Sequence, residues 1–123
     1  MMFSPGDVVL IWNDDVGKEK FHLCICPTGK FLFLNSPKKK AYPGDFNVPS
    51  AEIPLPPTPE GYSVISCTHL IMLAPSDFKR LRAIKKGTVS NKLLLKLIAF
   101  VDKTPVLSEE EKDAILEGLG DWA

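Results

Sequence analysis

No stretch of this chain is long and apolar enough to read as a membrane span. The best candidate, Leu93 to Val101, is interrupted by Lys96, far short of the ~18–20 apolar residues a bilayer requires. The opening residues, Met1-Met2-Phe3-Ser4-Pro5-Gly6-Asp7, lack the basic start and apolar run of a secretory signal. Cysteine is scarce. Three thiols, Cys24, Cys26 and Cys67, cannot all pair within one chain, which argues against a disulfide scaffold and for a reduced, cytoplasmic setting. A glycine-rich phosphate loop is missing, and so is a paired-carboxylate pattern on a helix-forming segment; Asp14 and Asp15 read as turn formers.

What is present suits one domain spanning residues 1–123. A chain of 123 residues with 45% hydrophobic and 24% charged residues can bury roughly two-thirds of its unfolded surface in a single core. The net charge is zero but unevenly spread. Lys79, Arg80, Arg82, Lys85, Lys86, Lys92 and Lys96 fall in a stretch without acids, whereas Glu109, Glu110, Glu111, Asp113, Glu117 and Asp121 face only Lys112. Either the basic stretch meets an anionic partner, or the two stretches attract each other or face solvent.

The first third reads as β. Val8–Trp12, Phe21–Cys26 and Phe31–Leu34 are apolar runs separated by the turns 13–17 and 27–29, and the third stops at Asn35-Ser36-Pro37; this predicts a curled antiparallel sheet. Seven prolines between residues 35 and 61 leave room only for a short edge strand near Asp45 to Val48. Leu55-Pro56-Pro57-Thr58-Pro59 fits a stiff connector or, alternatively, a polyproline ligand. Tyr62 to Leu73 reads as β with Val64, Ile65, Leu70, Ile71 and Leu73 as core candidates. Ser76 reads as the cap of a short helix carrying Phe78, Leu81 and Ile84, and Lys85–Val89 as a connector. Ser90 caps a second helix with Leu93, Leu94, Leu97, Ile98 and Val101 inward, and Ser108 with Glu111 forms a capping box for a last helix ended by Gly118, with Ile115, Leu116 and Leu119 on the core.

In order and spacing, three motifs resemble the MazF/PemK family: the start Pro5-Gly6-Asp7-Val8-Val9-Leu10, the loop Lys40-Ala41-Tyr42-Pro43, and Lys86-Gly87-Thr88-Val89 before a leucine-rich helix. The similarity covers about residues 5 to 101. It implies a mainly β fold with C-terminal α, a small SH3-like antiparallel barrel over about 5–75 followed by helices over about 76–118. It further implies a homodimeric toxin held by an acidic antitoxin protein. Such toxins cleave single-stranded RNA without a metal or other cofactor, as the 2′-hydroxyl attacks its own phosphate to give a 2′,3′-cyclic phosphate.

The family uses an arginine at the start of the second strand and a hydroxyl after the third. Fixed donors there stabilise the negative charge that accumulates on phosphate oxygens. In this sequence Lys20 matches the arginine and Ser36 the hydroxyl. Lysine keeps the charge but loses the bidentate fork, so the alternative is an inactive barrel of the same family that binds protein or nucleic acid. Alternation along the second strand sets Phe21, Leu23 and Ile25 against Lys20, His22, Cys24 and Cys26. Lys20 and His22 then project together, either as charge stabiliser and proton-transfer group or as an edge-strand lysine beside a solvated histidine. Lys38, Lys39 and Lys40 could track an RNA backbone, and Tyr42 could stack a base.

Cys24, Cys26, Cys67 and His69 invite a zinc reading, but i and i+2 on a strand lie about 6.5 Å apart, too wide to chelate readily, and buried packing is the default for cysteine. A nucleophilic Cys/His pair lacks any flanking helix N-terminus or nucleophile elbow. The acidic last helix is expected either to pack on the core or to cover part of the RNA- or antitoxin-binding surface.

Overall fold

The computed structural model describes residues 3–40 and 42–120; Ala41 of the family-like loop and Asp121 of the acidic stretch lie outside them. Six strands form one antiparallel sheet: β1 Asp7–Asn13, β2 Lys18–Cys26, β3 Lys30–Asn35, β4 Asp45–Pro49, β5 Tyr62–Met72 and β6 Ile84–Thr88. Their order is β4-β5-β3-β2-β1-β6. The two edges, β4 and β6, do not pair, so the sheet is open. Two helices follow, α1 Asn91–Lys103 and α2 Glu109–Gly120. No helix among the described residues is long and apolar enough to cross a membrane.

Local chemistry accounts for the turns. Asn13 Oδ1 accepts from the backbone amides of Asp15 and Val16, an Asx turn that closes the β1–β2 hairpin. Gly29 closes the β2–β3 hairpin at φ +107°, and a Cβ there would collide with the Leu73 carbonyl; no other residue fits.

The central strands are apolar on both faces because both faces are covered. On one side Val8, Leu23, Ile25, Leu32 and Leu34 pack with α1 and α2 residues such as Leu94, Leu97, Ile115 and Leu119. On the other, Val9, Ile11, Cys24 and Phe31 pack with Phe3, Phe78 and Leu81. We call these the helical face and the second face.

Three expectations about the C-terminal half are corrected. No helix starts at Ser76. A single 3₁₀ turn, Pro75–Asp77, is followed by turns, and Arg82 adopts φ +55°, which a right-handed helix excludes. Phe78 and Leu81 do point inward, but onto the second face. Lys85–Val89 is no mere connector: residues up to Thr88 form β6, pairing with β1 across a bulge, and Ile84 belongs to this strand. Gly118 does not end α2, which runs to Gly120. It lies where a Cβ would meet the Ile25 carbonyl, so glycine lets α2 approach β2 closely.

The remaining helix signals hold. Ser90 Oγ accepts from Leu93 N. Ser108 and Glu111 exchange the two capping-box bonds, at 3.1 and 3.2 Å. Glu111 has a further role: its Oε2 accepts from Leu70 N at 2.8 Å. Between Ser66 and Ile71 the β3–β5 register shifts, and the carboxylate of α2 takes up a backbone amide at that irregularity. α2 packs against α1 and β2, on the helical face.

Candidate functional site: a cation on the second face of the sheet

Lys20 lies near the start of β2, a central strand, so it is not an edge-strand lysine. His22 pairs with Phe33 across the β2–β3 ladder, and Phe33 pairs with Ser66 of β5. This register puts Lys20, His22, Phe33, Asn35 and Ser66 on the second face. The Lys20 ammonium lies 4.6 Å from the centroid of the Phe33 ring and donates to Asn35 Oδ1 at 3.2 Å. Asn35 Nδ2 in turn donates to Ser66 Oγ at 2.7 Å. Since Ser66 accepts there, its own hydroxyl hydrogen is left to donate elsewhere.

No carboxylate lies within 4.0 Å of Lys20 among the described residues. Burial pulls the Lys20 pKa below its ordinary value, and the charges of Lys18 and Lys38 lower it further. A half-buried ammonium held by a neutral amide, beside two like charges, favours an incoming anion.

His22 is not the solvated histidine considered above. It is buried, packed between Phe31 and Phe33 at ring-centroid distances of 5.8 and 5.0 Å. Its Nδ1 lies 2.9 Å from the Lys20 carbonyl, which can only accept, so Nδ1 carries the hydrogen. Burial, opposed by this hydrogen bond and assisted by the Lys20 charge, pulls the imidazole down to about 4. At neutral pH it is an uncharged group and cannot supply an imidazolium proton.

Ser36 makes no hydrogen bond with Lys20 among the described residues. It is exposed one residue past Asn35, beyond the end of β3, and lines with it a small cleft that includes Phe21, Leu34, Leu55, Pro56 and Thr58. Phe21 and Leu34 belong to the helical side. The hydroxyl linked to Lys20, through Asn35, is that of Ser66.

The lysine run divides. Lys38 lies 3.7 Å from Asp45 Oδ1 and 5.1 Å from the Tyr42 ring, while Lys39 and Lys40 are exposed. Asp45 is 5% exposed at its side chain, and its Oδ2 accepts from Tyr42 N. The loop is thereby anchored at its base and leaves Tyr42 52% exposed.

Beside the Lys20 array a cleft of about 380 Å³ opens between the β1–β2 tip, β5 and the 75–82 segment. His22, Phe33, Ile71 and Leu81 line it, with Trp12 and His69; His69 meets the Phe33 ring edge-on at 6.4 Å. Asp14, Asp15, Asp77 and Arg80 also line it. Arg80 Nη1 donates to Asp14 at 3.0 Å, and Arg80 Nε lies 3.7 Å from Asp77.

The cysteines do not assemble. Cys24 belongs to the core of the second face and Cys67 to that of the helical face, and burial pushes both thiols up to about 12. Cys26 is half-buried, 3.1 Å from Thr28 Oγ1, and that contact lowers its pKa. No group of three or more His, Cys, Asp or Glu among the described residues is placed to hold a metal ion. Nor does α2 cover Lys20, because it packs on the opposite face. Comparison with family models, curated proteins and solved structures finds no match for this chain.

Proposed function

We propose that the chain is a MazF/PemK-like β module, SH3-like in architecture, that binds single-stranded RNA across the second face of its sheet without cutting it. The observation that carries this reading is the state of Lys20, a half-buried ammonium held by an amide rather than a carboxylate. A phosphodiester arriving there meets charge that has not already been neutralised. Phe33 and the exposed Tyr42 supply ring surface for bases, and Lys18, Lys39 and Lys40 extend the positive track. Binding without cleavage is favoured because Lys20 is hydrogen-bonded to Asn35 rather than to Ser36, and because burial pulls the His22 imidazole down to about 4, leaving it a weak base for a 2′-hydroxyl. The homodimer, the cytoplasmic setting and an acidic antitoxin protein competing for the same cations belong to this reading through the family resemblance.

A second reading, the metal-independent endoribonuclease, is favoured by one contact: Asn35 links Lys20 to the Ser66 hydroxyl, so a cation and a hydroxyl converge with Ser66 in place of Ser36. The test is fluorescence anisotropy of a labelled single-stranded RNA in EDTA at several salt concentrations, with the same samples run on a denaturing gel. Lys20→Ala is expected to weaken binding about tenfold and to lower the salt slope by about 0.7, the loss of one phosphate contact on a single strand. Unchanged affinity and slope would refute the role of Lys20. Cyclic-phosphate products that vanish in both Lys20→Ala and Ser66→Ala would establish the second reading instead.

A further inference from the structure

We infer that the cleft lined by Trp12, Asp15, His22, Phe33, His69 and Arg80 is a guanine-binding pocket, placed next to the phosphodiester position at Lys20. The inference rests on the RNA reading above and adds the base that the site selects.

The cleft has the size of a small-molecule site, about 380 Å³ against the ~300–1,000 Å³ common for such pockets. Its lining combines the rings of Trp12, Phe33 and His69 with the apolar side chains of Ile71 and Leu81, a composition suited to a flat heterocycle. The charge of the lining disfavours a phosphate. Three carboxylates, Asp14, Asp15 and Asp77, stand against the single guanidinium of Arg80, so the mouth repels anions and accepts N–H donors.

That donor requirement discriminates among bases. Asp14 and Asp77 are engaged by Arg80, whereas Asp15 makes no ion pair among the described residues. A carboxylate accepts best from two adjacent N–H groups. Guanine offers them side by side, N1–H and the N2 amino group, with the O6 acceptor beyond, which suits a guanidinium. Adenine and cytosine set a ring lone pair next to their amino group, and uracil sets its single N–H between two carbonyls. Asp15 with Arg80 therefore matches the guanine edge alone. The two positions are contiguous, because Phe33 lines the cleft and also lies beneath the Lys20 ammonium.

The experiment compares anisotropy of labelled oligouridine with the same oligomer carrying one central guanosine, adenosine or inosine. Calorimetry of free guanosine, which has no phosphate, runs in parallel. The guanosine oligomer should bind at least about tenfold tighter than oligouridine, and inosine, lacking the 2-amino group, should lose most of that gain. Asp15→Asn, a change on an exposed turn, should bring the guanosine-to-uridine ratio close to one. Equal affinity for all four oligomers with no guanosine binding would overturn the pocket and leave the Lys20 reading standing. Guanosine binding that Asp15→Asn abolishes, in a protein that binds no RNA, would uphold the pocket and overturn the Lys20 reading.

Discussion

His22 shows how much a single side chain can be misjudged from its neighbours. Its position beside Lys20 suggests a proton-transfer pair; its burial makes it a neutral spacer under Phe33. The folded imidazole titrates at about 4 and the unfolded one near 6.5. The unfolded chain therefore binds a proton that the folded chain refuses, and stability falls as pH drops from about 6.5 toward 4. The loss should reach about 2–3 kcal/mol by pH 4. Urea denaturation at pH 7, 5.5 and 4.5 should show this loss in the wild type and a flatter profile in His22→Leu; parallel profiles would refute it. Of the site, Lys20 was legible at this scale. With residue 22 opposite 33, Asn35 falls opposite Lys20, but the register shifts between Cys24 and Cys26. Counting back from the hairpin, where Cys26 pairs with Lys30, sets Ser36 there instead, so the bulge hid Asn35 from the sequence. Ser66 comes from a strand 31 residues away, and no local signal points to it.

The elements sort by how local their causes are. Both α1 and α2 were readable because caps and a 3.6-residue apolar period act within a few residues. The segment after Ser76 misled because Phe78 and Leu81 have helical spacing while serving a core beneath a sheet, and β6 was invisible because its ladder partner, β1, is some 80 residues away. Glu111 joins the two regimes, since one carboxylate completes the α2 cap and binds Leu70 N on β5. Glu111→Ala should cost about 1–2 kcal/mol in chemical denaturation, from a lost cap and a backbone amide left without its acceptor. It should also speed amide exchange at Leu70. Exchange there at the wild-type rate would show that α2 does not tether β5.

At the scale of the whole molecule the sheet is the middle layer, with a core on each side. The apolar alternation of β2 made the helical face readable. The second face was hidden because its cover is drawn from two distant segments, Phe3 ahead of β1 and Phe78 with Leu81 between β5 and β6. Ending the chain after Lys103 removes the burial of Leu107, Ile115 and Leu119, each worth about 1.5–3 kcal/mol, which is comparable to the ~5–15 kcal/mol stability of a small domain. The truncated chain should lose its cooperative thermal transition by circular dichroism; a sharp melt close to that of the full chain would contradict this. Asp7 ties the two ends of the strand set together. Buried between β1 and β6, it accepts from Thr88 Oγ1 and Ser4 N and lies 3.3 Å from Lys85 Nζ, joining segments made far apart in time. During synthesis β1 leaves the ribosome with one flank bare, and that flank stays open to pairing with strangers until residues 84–88 have emerged. The aspartate then locks the first strand to the last.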